Sequence, residues 1–291
     1  MLLRGTLLCV VCFSLPFPSP VRAEPGTNTS SLLDPTALTN RPLRHLDYRC
    51  ECWSVAESPN FRIYHRQKPE LAEKAARVAE QTRIAVQRKW FGEMGRDWDS
   101  RCEVYLHETQ QDFYRATGVP AGVPGRTLTR SEADRVIARR IDLCCADPNC
   151  LAAVLPHETT HAVLAGRFGQ QPVPPWANEG MAVLDEPQDQ INTQLRKLPR
   201  LRREGELIQT EKLLALKGYP EQRRLGAFYA QSVSLAGFLA GEKGPETFAR
   251  FVRDGLRDGY DAALKRYYGW GLQELDGRWR KHAFGEVVAG K

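Results

Sequence analysis

No segment of this sequence is apolar for long enough to cross a bilayer, and neither sign of charge dominates it. The longest apolar run covers residues 7–15, short of the roughly 20 residues that a spanning helix needs, so stable membrane insertion is excluded. Lys and Arg number 41 against 35 Asp and Glu, a formal charge of +6. That balance is too small and too dispersed for a nucleic-acid binder, and the densest basic stretch, residues 196–203, reads as a solvated helix face. No phosphate-binding loop, dinucleotide fingerprint or GxSxG elbow occurs, so the chemistries those motifs carry have no support. No internal repeat is visible. Histidine is scarce, six in 291 residues, which makes any close pair of histidines conspicuous.

What is present at the N-terminus reads as an address. Arg4 supplies a basic start, residues 7–15 an apolar core, and Val21-Arg22-Ala23 a small-residue cleavage pattern, together a secretory signal over residues 1–23. The expectation is an exported protein, secreted or periplasmic. Residues 24–45 are rich in Pro, Thr, Ser and Asn without periodicity, a flexible leader that includes the Asn28-Thr29-Ser30 sequon. Residues 46–291 then form one domain. Six cysteines remain after cleavage, Cys50, Cys52, Cys102, Cys144, Cys145 and Cys150. An even count in an exported chain favours disulfides over a metal cluster, and no CxxC spacing argues otherwise.

The pattern along that domain changes halfway. Alternation predicts strands over residues 60–65, 102–107 and 135–143, with an amphipathic helix over residues 69–90 and a short helix over residues 112–117. Residues 118–125, with two prolines and three glycines, read as a loop. From Leu151 onward the periodicity is helical. A strand-rich first half followed by a helical half is an α+β arrangement.

The chemistry concentrates in Leu155-Pro156-His157-Glu158-Thr159-Thr160-His161. On a helix, residues four apart share a face, so His157 and His161 can grip one ion. Glu158 sits beside the first ligand, where its carboxylate can take a proton from a water that the ion activates. A catalytic zinc needs a third protein ligand while keeping one position open. The HExxHxxGxxH solution is excluded, because Leu164 and Arg167 stand where Gly and His are needed. Eighteen positions after His161, beyond Pro172-Val-Pro-Pro175, a second helix starting near Asn178 would present Glu179 in its first turn. His157, His161 and Glu179 are therefore the expected ligands of one Zn2+ per chain, and Glu158 the expected general base.

At this point the chain resembles the gluzincin metallopeptidases, in particular the broad Peptidase MA-like group. Trp176-Ala-Asn-Glu-Gly-Met-Ala182 is similar to the W-x-N-E-G-F-A signature of aminopeptidase N-type enzymes. Tyr229-Ala-Gln-Ser-Val-Ser-Leu235 is similar to the helix whose tyrosine stabilises the oxyanion in those enzymes. The resemblance implies a zincin-like (thermolysin-like) domain that hydrolyses peptide bonds in a peptide or protein substrate, with Tyr229 as oxyanion donor. It also implies a small mixed sheet whose edge strand, placed at residues 135–143, binds the substrate backbone. Three departures stand against it. There is no G-x-M-E-N segment to hold a substrate N-terminus. Pro156 must fall in a first helical turn to be tolerated. Val183 occupies the position of a thermolysin-like Asp, leaving Glu186 as the candidate to orient a ligand histidine. The alternative function is a non-catalytic binding protein on the same scaffold.

Overall fold

The computed structural model describes residues 44–47, 53–120, 122–133, 135–169 and 171–285. The signal segment, the sequon, Cys50 and Cys52 lie outside the described residues.

The first half builds one six-stranded sheet from β1 (Arg44–Asp47), β2 (Ser54–Glu57), β3 (Phe61–His65), β4 (Cys102–His107), β5 (Gly125–Glu132) and β6 (Arg135–Cys144). The spatial order is β1-β2-β3-β4-β6-β5. β3, β4 and β6 run parallel, whereas β2 and β5 pair antiparallel with their neighbours. The sheet is therefore mixed, as expected, but β6 is interior to it. β5 pairs along β6 from Gly125 to Glu132 and takes the edge, which corrects the placement of the edge strand at residues 135–143. The reason β5 escapes a pattern reading is its composition, GRTLTRSE, with burial confined to its first half. An edge strand that leaves the core carries no alternation to detect. β1 likewise begins inside the segment read as leader, and β2 has only four residues.

Two parallel strands need a crossover, and α1 (Pro69–Phe91) supplies it between β3 and β4. A proline begins the helix, and Gly92 ends it at φ 72° with its N–H on the Arg88 carbonyl at 3.0 Å. Ala72, Ala75, Ala76 and Ala79 are fully buried along one stripe, so the helix backbone lies close over Phe61, Ile63, Val104, Leu106, Ile141 and Leu143. A short helix α2 (Gln110–Thr117) follows β4, with Thr109 accepting the Asp112 N–H as its cap.

The face of the sheet turned away from this core is polar and ordered. Asp142 is completely buried, accepting from Arg140 at 2.8 and 2.9 Å and paired with His107 Nε2 at 2.9 Å. Burial alone would raise its pKa, but the hydrogen bonds from His107 and Arg140 outweigh that and hold it below the ordinary carboxylate value. A depressed carboxyl contributes stability above its unfolded pKa and loses it as pH falls through the folded one. Asp142→Asn is expected to cost about 3 kcal/mol at neutral pH, since it leaves buried cations uncompensated. Denaturant titrations should show the gap to wild type narrowing below about pH 4.

The second half is helical: α3 (Leu155–Phe168), α4 (Pro175–Val183), α5 (Gln188–Leu195), α6 (Leu198–Arg203), α7 (Thr210–Leu214), α8 (Leu225–Lys243), α9 (Pro245–Asp258), α10 (Tyr260–Tyr268) and α11 (Leu272–Phe284). α8 is apolar on nearly every side and runs through the middle, as a helix without a polar face must. Trp90, Trp176, Phe248, Phe251 and Trp279 pack with it into a second core. In α6, Leu198 and Leu201 are buried while Arg200, Arg202 and Arg203 are exposed, the solvated basic face expected there. Among the described cysteines, Cys102, Cys144, Cys145 and Cys150, no pair of sulfurs stands at covalent-bond distance.

Candidate metal centre

The site forms where α3 passes between the sheet and the helical half. A single π-turn over Cys150–Val154 leads into α3, and Pro156 falls in the first turn, where its missing N–H costs nothing. Every residue of the helix from Leu155 to Leu164 is buried. His157 and Glu158 are 0% exposed and His161 5%. α4 starts at Pro175 rather than near Asn178, because the Pro174-Pro175 pair sets an extended residue and then a first helical one. Glu179 therefore lies in the second turn, fully buried. α4 can approach α8 this closely only because residue 180 is glycine: a Cβ there would come within 2.6 Å of the Ser232 carbonyl oxygen and 2.7 Å of Ala236 Cβ.

The three expected ligands converge. His157 Nε2 lies 3.0 Å from His161 Nε2 and 3.4 Å from Glu179 Oε2, and His161 Nε2 lies 3.8 Å from Glu179 Oε1. Bonds of about 2.0–2.1 Å in a tetrahedron separate ligand atoms by about 3.3–3.4 Å, so the trio has the spacing of a closed set around one small cation. This buried group could hold a metal ion. Two atoms support the fit: Glu158 Oε1 and Glu179 Oε2 are buried without a conventional hydrogen bond, a costly state for carboxylate oxygens that have nothing to serve.

Electrostatics separates the roles of the four groups. Burial raises the Glu158 carboxyl to about 7, against the opposing pull of His157 and Thr127. His161 is lowered to about 4, chiefly by burial, leaving a neutral ring with a lone pair to donate. Burial also works against charge on His157, but the Glu179 and Glu186 carboxylates outweigh it and hold the ring up at about 10. For Glu179 burial is overcome by His161, His157 and Tyr219, which keep it below the ordinary value and ionised.

The surrounding contacts aim these groups. Glu186 Oε1 sits 2.7 Å from His157 Nδ1, the candidate partner expected from the sequence, and a proton held there leaves Nε2 free to face a cation. The neighbouring Asp185 accepts from Lys89 Nζ at 2.7 Å and Trp90 Nε1 at 2.8 Å, which ties this turn to α1. The Thr127 hydroxyl donates to Glu158 Oε2 at 2.6 Å. Beside it β5 passes so near that a Cβ on Gly125 would lie 2.7 Å from Glu158 Oε1. The edge strand thus touches the expected base directly.

Tyr219 was not foreseen. It lies in the irregular segment before α8, and its hydroxyl donates to Glu179 Oε1 while its ring packs on Phe228 at 5.6 Å. No periodicity or motif marks a residue that reaches its partner across 40 positions. Tyr219→Phe is expected to lower metal affinity about 10- to 100-fold, as losses of such supporting contacts do, and competition with a chromophoric chelator measures it. Tyr229, the expected oxyanion donor, is 2% exposed on α8, its ring edge-on to Phe228 at 5.3 Å.

Three other histidines serve other ends. His107 pairs with Asp142, His65 Nδ1 lies 2.9 Å from the Gln67 carbonyl, and His282 packs tilted against Phe238. A surface cavity lined by Trp90, Arg167, Glu246, Arg250 and Arg253 opens near the C-terminal end of α3 and includes none of the site residues. No family model, curated protein or solved structure matches the chain.

Proposed function

We propose that the chain is an exported zinc-dependent peptidase of the gluzincin type, with a zincin-like fold over residues 46–291. The observation that carries this reading is the convergence of His157, His161 and Glu179 on one point, with the Glu158 carboxylate on the adjacent helical position. Two neutral or neutralisable imidazoles and one carboxylate suit Zn2+ and leave a coordination position open, unlike the cysteine-rich sets of structural zinc sites. When bound, the ion supplies a Lewis acid that polarises the scissile carbonyl and acidifies water.

The chain's own residues do the rest. Glu158, whose carboxyl burial lifts above the ordinary value, accepts a proton and passes it to the leaving amine. Thr127 holds Oε2 through its hydroxyl. Glu186 and Tyr219 orient His157 and Glu179. β5, at the sheet edge and against Glu158, is the strand that an extended peptide backbone would join. Tyr229, on the helix packed against α4, is the proposed donor to the developing oxyanion. Tyr229→Phe should lower turnover about a hundred-fold with metal content unchanged; a lower Tm with normal turnover would reduce it to a packing residue.

The reading is tested by metal analysis of the purified protein together with digestion of an unbiased peptide library. The expected result is one zinc per chain and cleavage that a chelator abolishes and zinc restores. A metal-free protein, or cleavage indifferent to chelation, overturns it. Bound zinc without cleavage selects the non-catalytic alternative.

A further inference from the structure

We propose that Cys145 and Cys150 form a disulfide that anchors the start of the helix bearing His157, Glu158 and His161. Their sulfurs lie 2.9 Å apart, inside the contact distance of two unbonded sulfur atoms, so the backbone already holds both side chains in a bonding arrangement. The other described cysteines point elsewhere. Cys144 packs with Phe113, Val119 and Val123, whereas Cys102 lies in the core between the sheet and α1. Adjacent residues at a strand end face opposite sides, and this is why Cys145, not Cys144, meets Cys150.

The loop that joins them is pre-shaped. Cys145 N–H bonds the His107 carbonyl at 2.8 Å, Asp147 N–H the Cys144 carbonyl at 3.2 Å, and Cys150 N–H the Asp147 carbonyl at 3.1 Å. The Asp147 side chain takes the Asn149 N–H at 2.7 Å. The cross-link therefore needs only a small approach of the two side chains, and it closes a short ring between the end of β6 and the π-turn over Cys150–Val154 that feeds α3. Cys150 is 5% exposed and Cys145 half-buried, so Cys145 is the sulfur an exchange partner can reach.

The chemistry needs an oxidant of the small-disulfide class, such as oxidised glutathione. The Cys145 thiolate attacks one sulfur of that disulfide, making a mixed disulfide and releasing one thiol. Cys150 then attacks the Cys145 sulfur, forming the internal bond and releasing the second thiol. Both protein thiol protons and two electrons end on the oxidant as its two thiols. None of this depends on the metal centre being catalytic.

The test uses the full-length purified protein equilibrated with oxidised glutathione, alkylated in denaturant without reductant, and cut by an Asp-directed endoprotease between Ala146 and Asp147. The expected result is a pair of fragments, one carrying Cys144 and Cys145 and one Cys150, that separate only on reduction, with Cys144 already alkylated before reduction. Recovery of both residues as alkylated thiols, or of either linked to another cysteine, overturns the proposal. The anchoring role has its own readout. Reductant should lower the wild-type Tm by about 5 °C and speed amide exchange over residues 151–155, while leaving the double variant Cys145→Ser/Cys150→Ser indifferent. A wild-type Tm and exchange that ignore reductant, or an equal reductant effect in the double variant, sinks the anchor.

Discussion

Glu158→Gln is expected to retain its zinc and its fold yet lose turnover by about 100- to 10,000-fold, the range that a positioned general base and acid contributes. The substitution preserves volume in a site that is completely buried, so no cavity or clash follows. The amide can still take the Thr127 hydroxyl that the carboxylate takes at 2.6 Å, which keeps the side chain in place. What it cannot do is accept a proton. A carboxyl lifted by burial also costs the protein stability when ionised, so the neutral amide should unfold no more easily than wild type, and a slightly higher Tm would fit. Single-turnover rates and zinc content measured on one preparation decide the matter. Wild-type turnover in the metal-loaded variant would remove Glu158 from the chemistry.

Glu179→Ala is expected to abolish stoichiometric zinc binding, as are His157→Ala and His161→Ala, because three ligands are the fewest that hold a catalytic zinc. The carboxylate variant is the most informative of the three. Its removal also orphans the Tyr219 hydroxyl and strips the negative charge that faces both rings. Without Glu179, one of the two carboxylates that hold the His157 ring up is gone, yet His157 and His161 remain four apart on α3. Equilibrium dialysis against buffered zinc should show occupancy falling from one per chain to near zero, while circular dichroism reports an intact helical half. Undiminished zinc in Glu179→Ala would mean that another group completes the set, and Glu186, already on His157 at 2.7 Å, would be the first to examine.

Local chemistry made much of this protein readable in advance. Alternation marked β3, β4 and β6 and the 3.6-residue period marked α1, because each turns one apolar face to a neighbour and polar residues to the other side. The two histidines of α3 share a face for the same geometric reason, Glu158 stands one position beyond the first of them, and Glu179 follows from the need for a third ligand. Glu186 was within reach because a ligand histidine requires something on its second nitrogen.

Other features depended on long-range packing, to which a local pattern is blind. β5, GRTLTRSE, shows no alternation of its own and becomes the sheet edge only because β6 is there to pair with it. Pairing partners in sheets are chosen by topology, not by the strand's own residues, which is how β6 moved from edge to interior. α4 gained a turn because two prolines are adjacent, and it could settle on α8 because residue 180 lacks a Cβ. Tyr219 met Glu179 across an irregular segment with no period at all. The sequence by itself determined which atoms are able to bind a metal, since that is a property of side chains and helical spacing. Only the tertiary structure decided how those atoms are aimed and charged. Burial and the company of Glu186, Thr127 and Tyr219 set both, and each of these comes from a different element of the fold.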